Sequence, residues 1–175
     1  MKKFFLFILI IAIGWFYLWH SGPSNYDTPD NVPNNNVSAK PNASNATFIF
    51  EDGSVTLSGG HKTEEDKSET DLLDEVAYGD LNGDGKDDTL ILLARSGPGS
   101  GVFIYVAGYV SGPVKYKGTN ALFIGDRISP TSISIKNGVA TVNYLDRNSD
   151  EAFAAEPTVP TYKQFIYKNG EFVER

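Results

Sequence analysis

The residues of this 175-residue chain with the most evident chemistry lie in one ten-residue run, Gly79-Asp80-Leu81-Asn82-Gly83-Asp84-Gly85-Lys86-Asp87-Asp88. Oxygen-bearing side chains recur there at alternate positions, as Asp80, Asn82, Asp84 and Asp88, with the backbone carbonyl of Lys86 at the intervening place. A hard dication such as calcium takes six to eight oxygen ligands, and a tight loop can aim alternate side chains inward to supply them. Gly85, at the sixth position, permits the reversal that carries the Lys86 carbonyl inward. Three carboxylates packed together repel one another, so the spacing makes most physical sense around a cation. The competing reading is a plain Asn-Gly/Asp-Gly turn with solvated acids. Three formal charges point to modest affinity, about 10⁻⁴–10⁻³ M, suited to a structural staple in a calcium-rich compartment. Magnesium fits less well, because it prefers rigid octahedral sites that retain water.

Other chemistries find less support. There is no cysteine, so disulfides, thiolate zinc sites and a cysteine nucleophile are excluded. The two histidines, His20 and His61, stand in no Ser-His-Asp-like context. Ser96-Gly97-Pro98-Gly99-Ser100-Gly101 lacks the Lys-Ser/Thr of a phosphate-binding loop and reads as a hairpin connection lying near the aspartate loop. Gly125-Asp126-Arg127 reads as a turn in which Arg127 pairs with an acid. Asp80 and Asp84 could form a glycosidase-like carboxylate pair by spacing alone, but acids that hold a cation are poor proton donors. Glu64, Glu65, Asp66 and Glu69 form a charge run typical of a solvated loop.

The elements that must position the aspartate loop are strands. Phe48 and Phe50 precede Asp52-Gly53, and Val55 and Leu57 follow, as in a hairpin. Residues 59–70 read as a charged loop. Leu72 to Tyr78 and Thr89 to Ala94 read as strands on either side of the aspartate loop, and Val102 to Val110 as a central strand. Val114-Lys115-Tyr116-Lys117 alternates as an edge strand would, with lysines outward. Ser132 to Tyr144 is the clearest hairpin, with Asn137-Gly138 at its turn. Tyr162 to Val173 repeats the arrangement around Asn169-Gly170. Asp150 to Ala155 could make one helical turn. The expected class is mainly β, an antiparallel sandwich or partly closed meander over residues 47–175, together with an N-terminal transmembrane helix.

That helix is expected in residues 1–20. Lys2 and Lys3 precede an uncharged apolar run from Phe4 to Trp19, which places the N-terminus in the cytoplasm and the remainder outside it. Sixteen residues reach about 24 Å as a helix, slightly short of the ~30 Å hydrocarbon core. Lysines at one end and Trp15, Tyr17 and Trp19 at the other can bridge the difference. The alternative is a cleaved signal peptide, although bulky aromatics suit a cleavage site poorly. Residues 21–46 hold four prolines and seven asparagines and read as a disordered linker. Beyond residue 20 the chain carries 13 basic and 22 acidic residues. An acidic body of this kind does not suit nucleic acid.

The motif over Tyr78 to Ile128 extends beyond one loop. The ninth-position closure by Asp88 resembles the aspartate loops of dockerin modules and integrin-type propeller repeats. It departs from the EF-hand, whose twelfth-position glutamate is replaced here by Ile91. With Ser100-Gly101-Val102-Phe103-Ile104-Tyr105 and Phe123-Ile124-Gly125-Asp126-Arg127-Ile128, the stretch resembles an uncharacterised family of exported bacterial β domains. The resemblance implies a bacterial cell-envelope setting, periplasmic or extracellular, and transfers no activity. The functional expectation is a membrane-anchored, calcium-stapled module that binds a protein or glycan or supports the envelope. The alternative is a hydrolase of envelope polymers. A third possibility is an assembly module that adds a strand through an exposed edge.

Overall fold

The computed structural model describes residues 39–152 and 154–175. The expected anchor over residues 1–20 and the linker residues 21–38 lie outside them. The described chain is mainly β, without helix. Its strands are β1 (Thr47–Phe50), β2 (Gly53–Thr56), β3 (His61–Thr63), β4 (Glu69–Gly79), β5 (Asp88–Ser96), β6 (Val102–Val110), β7 (Lys117–Gly118), β8 (Leu122–Asp126), β9 (Ser129–Lys136), β10 (Val139–Asp146), β11 (Val159–Lys168) and β12 (Glu171–Glu174).

The six-stranded sheet runs β3-β4-β5-β6-β7, with β8 sharing the outer edge of β6. A four-stranded sheet runs β12-β11-β10-β9, and β1 and β2 form a separate hairpin. All strand pairs are antiparallel. The sheets include a curled half-barrel.

The alternation of β5 explains how these pieces share a core. Leu90 and Leu92 join one buried cluster with Val142, Phe165 and Phe172 of the four-stranded sheet. Ile91 and Leu93 join a second with Phe48, Phe50 and Val55 of the hairpin. Successive side chains of a strand point to opposite faces. A strand covered on both faces is therefore apolar without interruption, and Leu90 to Leu93 are all fully buried. β4 carries an irregularity between Leu72 and Val76, where its register against β5 shifts.

The turn chemistry follows the sequence. Asn137 and Gly138 adopt φ of 51° and 73°, and Asn169 and Gly170 adopt 54° and 89°. These are the left-handed values that a two-residue hairpin needs. At Gly118 the requirement is space: a Cβ there would stand 2.2 Å from the Thr47 carbonyl oxygen. Only glycine lets β7 and β1 approach so closely.

Several expectations are corrected. Residues 39–46, assigned by composition to the linker, pack on the domain. Ala43 and Ala46 are buried in the cluster with Phe48. The Pro41 carbonyl accepts the Thr89 hydroxyl at 2.8 Å, and the Leu57 N–H donates to Ala46 at 3.0 Å. Small side chains fit beneath the hairpin where composition alone signals only polarity. Val114 to Lys117 is not an edge strand: Val114 is 94% exposed in a loop, and pairing with β6 begins only at Lys117. Pro113 has no N–H to offer a ladder at that point. The charged stretch 59–70 contains β3 and the start of β4. Among the described residues of 148–155, backbone turns run from Glu151 to Asn148 and from Ala155 to Ala152, and none is helical.

Candidate metal centre

The aspartate loop spans the connection from β4 to β5, and its own side chains hold its shape. The Gly83 and Gly85 N–H groups donate to the two oxygens of Asp80 at 2.6 and 2.8 Å. The Asp84 N–H donates to Asn82 Oδ1 and the Lys86 N–H to Asp84 Oδ1, both at 2.9 Å. Gly83 and Gly85 both have φ of 80°, a conformation costly for residues with a side chain. The alternating oxygens seen in sequence thus gather four consecutive backbone donors, Gly83 to Lys86, around a tight loop.

Asp88 behaves differently from the others. It is fully buried as the first residue of β5. Its Oδ2 accepts the Leu81 N–H and its Oδ1 the Ser111 N–H, both at 2.8 Å. One side chain therefore ties the start of the loop to the connection between β6 and β7. Ser111 completes the brace from the other side. Its hydroxyl donates to Asp84 Oδ2 at 2.5 Å, and its carbonyl accepts from Asn82 Nδ2 at 2.9 Å. That hydroxyl first, and then the Lys86 N–H, holds the Asp84 carboxyl below its ordinary range. Lys86 Nζ lies 3.9 Å from Asp84, too exposed a pair to contribute much.

Ser111 and the exposed edge of the loop were not legible in sequence. Ser111 lies 23 residues beyond Asp88, with no motif around it. Asp87, outside the alternating set, pairs with Lys40, and its carbonyl accepts the Tyr116 hydroxyl at 3.0 Å. Lys40 also lies 5.1 Å from the Tyr78 ring centroid. The segment entering the domain is thereby fastened to the aspartate loop.

The fit to a cation is mixed. The donors are all oxygen, as a hard cation requires, and a carboxylate oxygen that accepts one N–H keeps lone-pair capacity. Yet Asp88 already satisfies two backbone donors. No group of three or more acidic or histidine side chains among the described residues converges as a metal set. The chemistry available without an ion is mechanical: the loop braces the β4–β5 and β6–β7 connections.

The other sequence candidates fall elsewhere. Residues 97–101 connect β5 to β6, at the end of β5 opposite the aspartate loop, so the expected proximity is not found. Arg127 pairs with its neighbour Asp126 at 2.7 Å. Asp126 also accepts the Val102 N–H.

Three acids outside the aspartate loop are also held below their ordinary values: Asp52 by Arg95, Asp66 by Ser68 and Asp126 by Arg127. A carboxyl with a lowered folded value stabilises the fold above its unfolded value, about 4. That contribution is lost as pH falls through the lowered folded values. The thermal midpoint is expected to stay level from about pH 6 to 5 and to decline below about pH 4. Circular dichroism melts across that range check this; a midpoint still level near pH 3 would remove these carboxyl groups as contributors.

Protein-family models, curated proteins and solved structures were all compared with this chain, and none matches.

Proposed function

We propose that this chain is an anchored envelope module. Residues 4–19 would hold it in a membrane, with the β domain on the outer side as a binding or structural element. The β1–β2 hairpin and the four-stranded sheet would form the outer layers of a sandwich about the six-stranded sheet. Calcium would be held by Asp80, Asn82, Asp84, the Lys86 carbonyl and Asp88. The observation that carries the proposal is the brace through Asp88 and Ser111. The loop is knitted into two strand connections, so a cation there would stabilise the whole domain. The ion would supply charge neutralisation among the acids, with no step of catalysis assigned to it.

The alternative, a hydrolase of envelope polymers, needs one carboxyl kept protonated beside a second. The shifts resolved for Asp52, Asp66, Asp84 and Asp126 all run downward, toward ionised acids. That pattern favours binding over acid catalysis.

Thermal unfolding of the full chain in nonionic detergent tests the reading, first with chelator and then with rising calcium. Binding to the folded state alone adds about 2.7 kcal/mol at a hundredfold excess over Kd. The midpoint should rise with calcium and not with equal magnesium, and Asp84→Ala should abolish the rise. A midpoint indifferent to calcium at every concentration would sink the metal reading and leave the loop as a self-capped turn.

A further inference from the structure

On the hairpin side of the six-stranded sheet, two depressions adjoin at the Asp52–Arg95 ion pair, which lines both; together they are called the trough. The first has a volume of about 510 Å³, within the range of small-molecule and peptide pockets. Its walls come from the β1–β2 turn and from the start of β8, and Tyr105 of β6 lies between them. β1 meets the segment that leads into β8: the Ile49 N–H donates to Thr119, and the Ala121 N–H donates to Ile49. Residues 49–52 and 120–123 then line opposite sides of the depression.

This end is aromatic and open. Tyr105 packs edge-on against Phe50 at 5.0 Å and Phe123 at 5.6 Å, and Phe123 continues to Phe103 at 6.2 Å. Phe123 is 49% exposed and Ile49 is 56% exposed. Phe50 and Tyr105 belong to the hairpin-side core, and the half-exposed rings of Phe123 and Phe103 extend that apolar face into water.

The other end is acidic. Glu51, Asp52, Glu64, Glu65 and Asp66 line the trough against a single cation, Arg95. That guanidinium is already committed: it pairs with Asp52 at 2.7 Å and with Glu64 at 2.9 Å, and it lies over the Phe50 ring at 4.9 Å. The lining therefore keeps four negative charges beyond the positive one, and Glu51 and Glu65 have no ion-pair partner among the described residues.

From this juxtaposition we infer that the trough binds a lysine- or arginine-bearing polypeptide segment in extended form. The inference rests on the binding-module reading and names its ligand class. A basic side chain suits both ends at once. Its aliphatic stem lies on aromatic rings while its charged head reaches carboxylates, and a cation over Tyr105 or Phe123 gains from the ring face. A neutral sugar gains nothing from the net charge, and an anionic polymer is repelled by it.

The probe is a fluorescein-labelled hexapeptide of alternating lysine and valine. Its anisotropy is followed against the full chain in nonionic micelles, with empty micelles as the blank. A hexapeptide with serine for lysine and a neutral N-acetylglucosamine hexamer serve as competitors. Phe123→Ser should weaken binding about tenfold, as loss of an aromatic anchor does. Glu51→Gln with Glu65→Gln should weaken it about threefold and flatten its salt dependence. All three side chains are at least partly exposed, so the variants should keep the parent thermal midpoint. Serine-peptide or sugar competition should be absent.

Peptide binding that is unchanged in both variants would overturn the inference while leaving a binding module with its site elsewhere. Sugar that binds in a Phe123-dependent way, with no peptide binding, would overturn it in favour of a glycan module. If neither probe binds while calcium still raises the midpoint, the inference falls and a structural module remains. If calcium also has no effect, the metal reading falls with it.

Discussion

Replacing Asp88 by alanine should lower the thermal midpoint by on the order of 10 °C, in chelator as well as in calcium. The side chain is fully buried, and its two oxygens each satisfy a backbone N–H, from Leu81 and Ser111. Alanine strands both donors away from water. Each orphaned donor costs about 1–3 kcal/mol, so the pair removes a large share of the 5–15 kcal/mol typical of a domain. Asp88→Asn should fall between: its amide oxygen keeps one donor satisfied, and its NH₂ faces the other. Far-ultraviolet circular dichroism melts of the full chain in detergent measure this. The test separates two roles that the motif merges. If Asp88 served only as a ligand, the loss would appear with calcium and vanish in chelator. Equal loss in both solutions assigns it to the brace.

Phe172→Ala should cost about 3–5 kcal/mol, the usual range for a large aromatic deleted from a core. Phe172 is fully buried and stacks on Phe165, with ring centroids 5.5 Å apart and planes 16° apart. It stands on β12, an edge strand of four residues paired only with β11. That short ladder receives help from outside its sheet. Asn120, just before β8, donates to the Phe172 carbonyl at 2.8 Å and accepts the Phe172 N–H at 2.7 Å. Its amide acts as a strand partner would, tying the four-stranded sheet to the six-stranded one. Removing the ring should loosen that tie, so limited proteolysis should begin at the C-terminal strand. Phe172→Leu restores apolar volume and should recover roughly half of the loss. Val114→Ala, at a site 94% exposed, should leave the midpoint unchanged. Denaturant titration reads all three. A Phe172→Ala midpoint equal to that of Val114→Ala would mean that β12 does not contribute to the cooperative fold.

The two outcomes bear on each other. Asp88 braces one side of β6 through Ser111, while Phe172 and Asn120 secure the approach to β8 on its outer edge. These sites share no partner, so their effects should add within a few tenths of a kcal/mol in the double variant.

The sequence by itself determined the long strands and the tight turns between them. Strand positions followed from the two-residue period of side chains, and the Asn137-Gly138 and Asn169-Gly170 turns from the left-handed backbone they favour. The run Thr89 to Ala94 was legible as a strand, while its cover on both faces came from packing. The aspartate loop was legible because alternating oxygens at fixed spacing form a local pattern.

Tertiary structure decided whatever depends on partners distant in the chain. Ser111 reaches Asp84 and Asp88 only because β5 and β6 pair side by side, and no feature of residues 109–113 signals it. Composition assigned residues 39–46 to the linker, since alanine and asparagine carry little apolar signal. Yet Ala43 and Ala46 are buried because a small side chain is what the space beneath the hairpin admits. The alternation of Val114 to Lys117 promised a strand, but only Lys117 of that stretch finds a partner, on β6. The trough likewise joins a turn near residue 51, a loop near residue 65 and a strand near residue 123. Its charge and its rings were visible one by one in the sequence, but packing of the hairpin on the sheet made them neighbours.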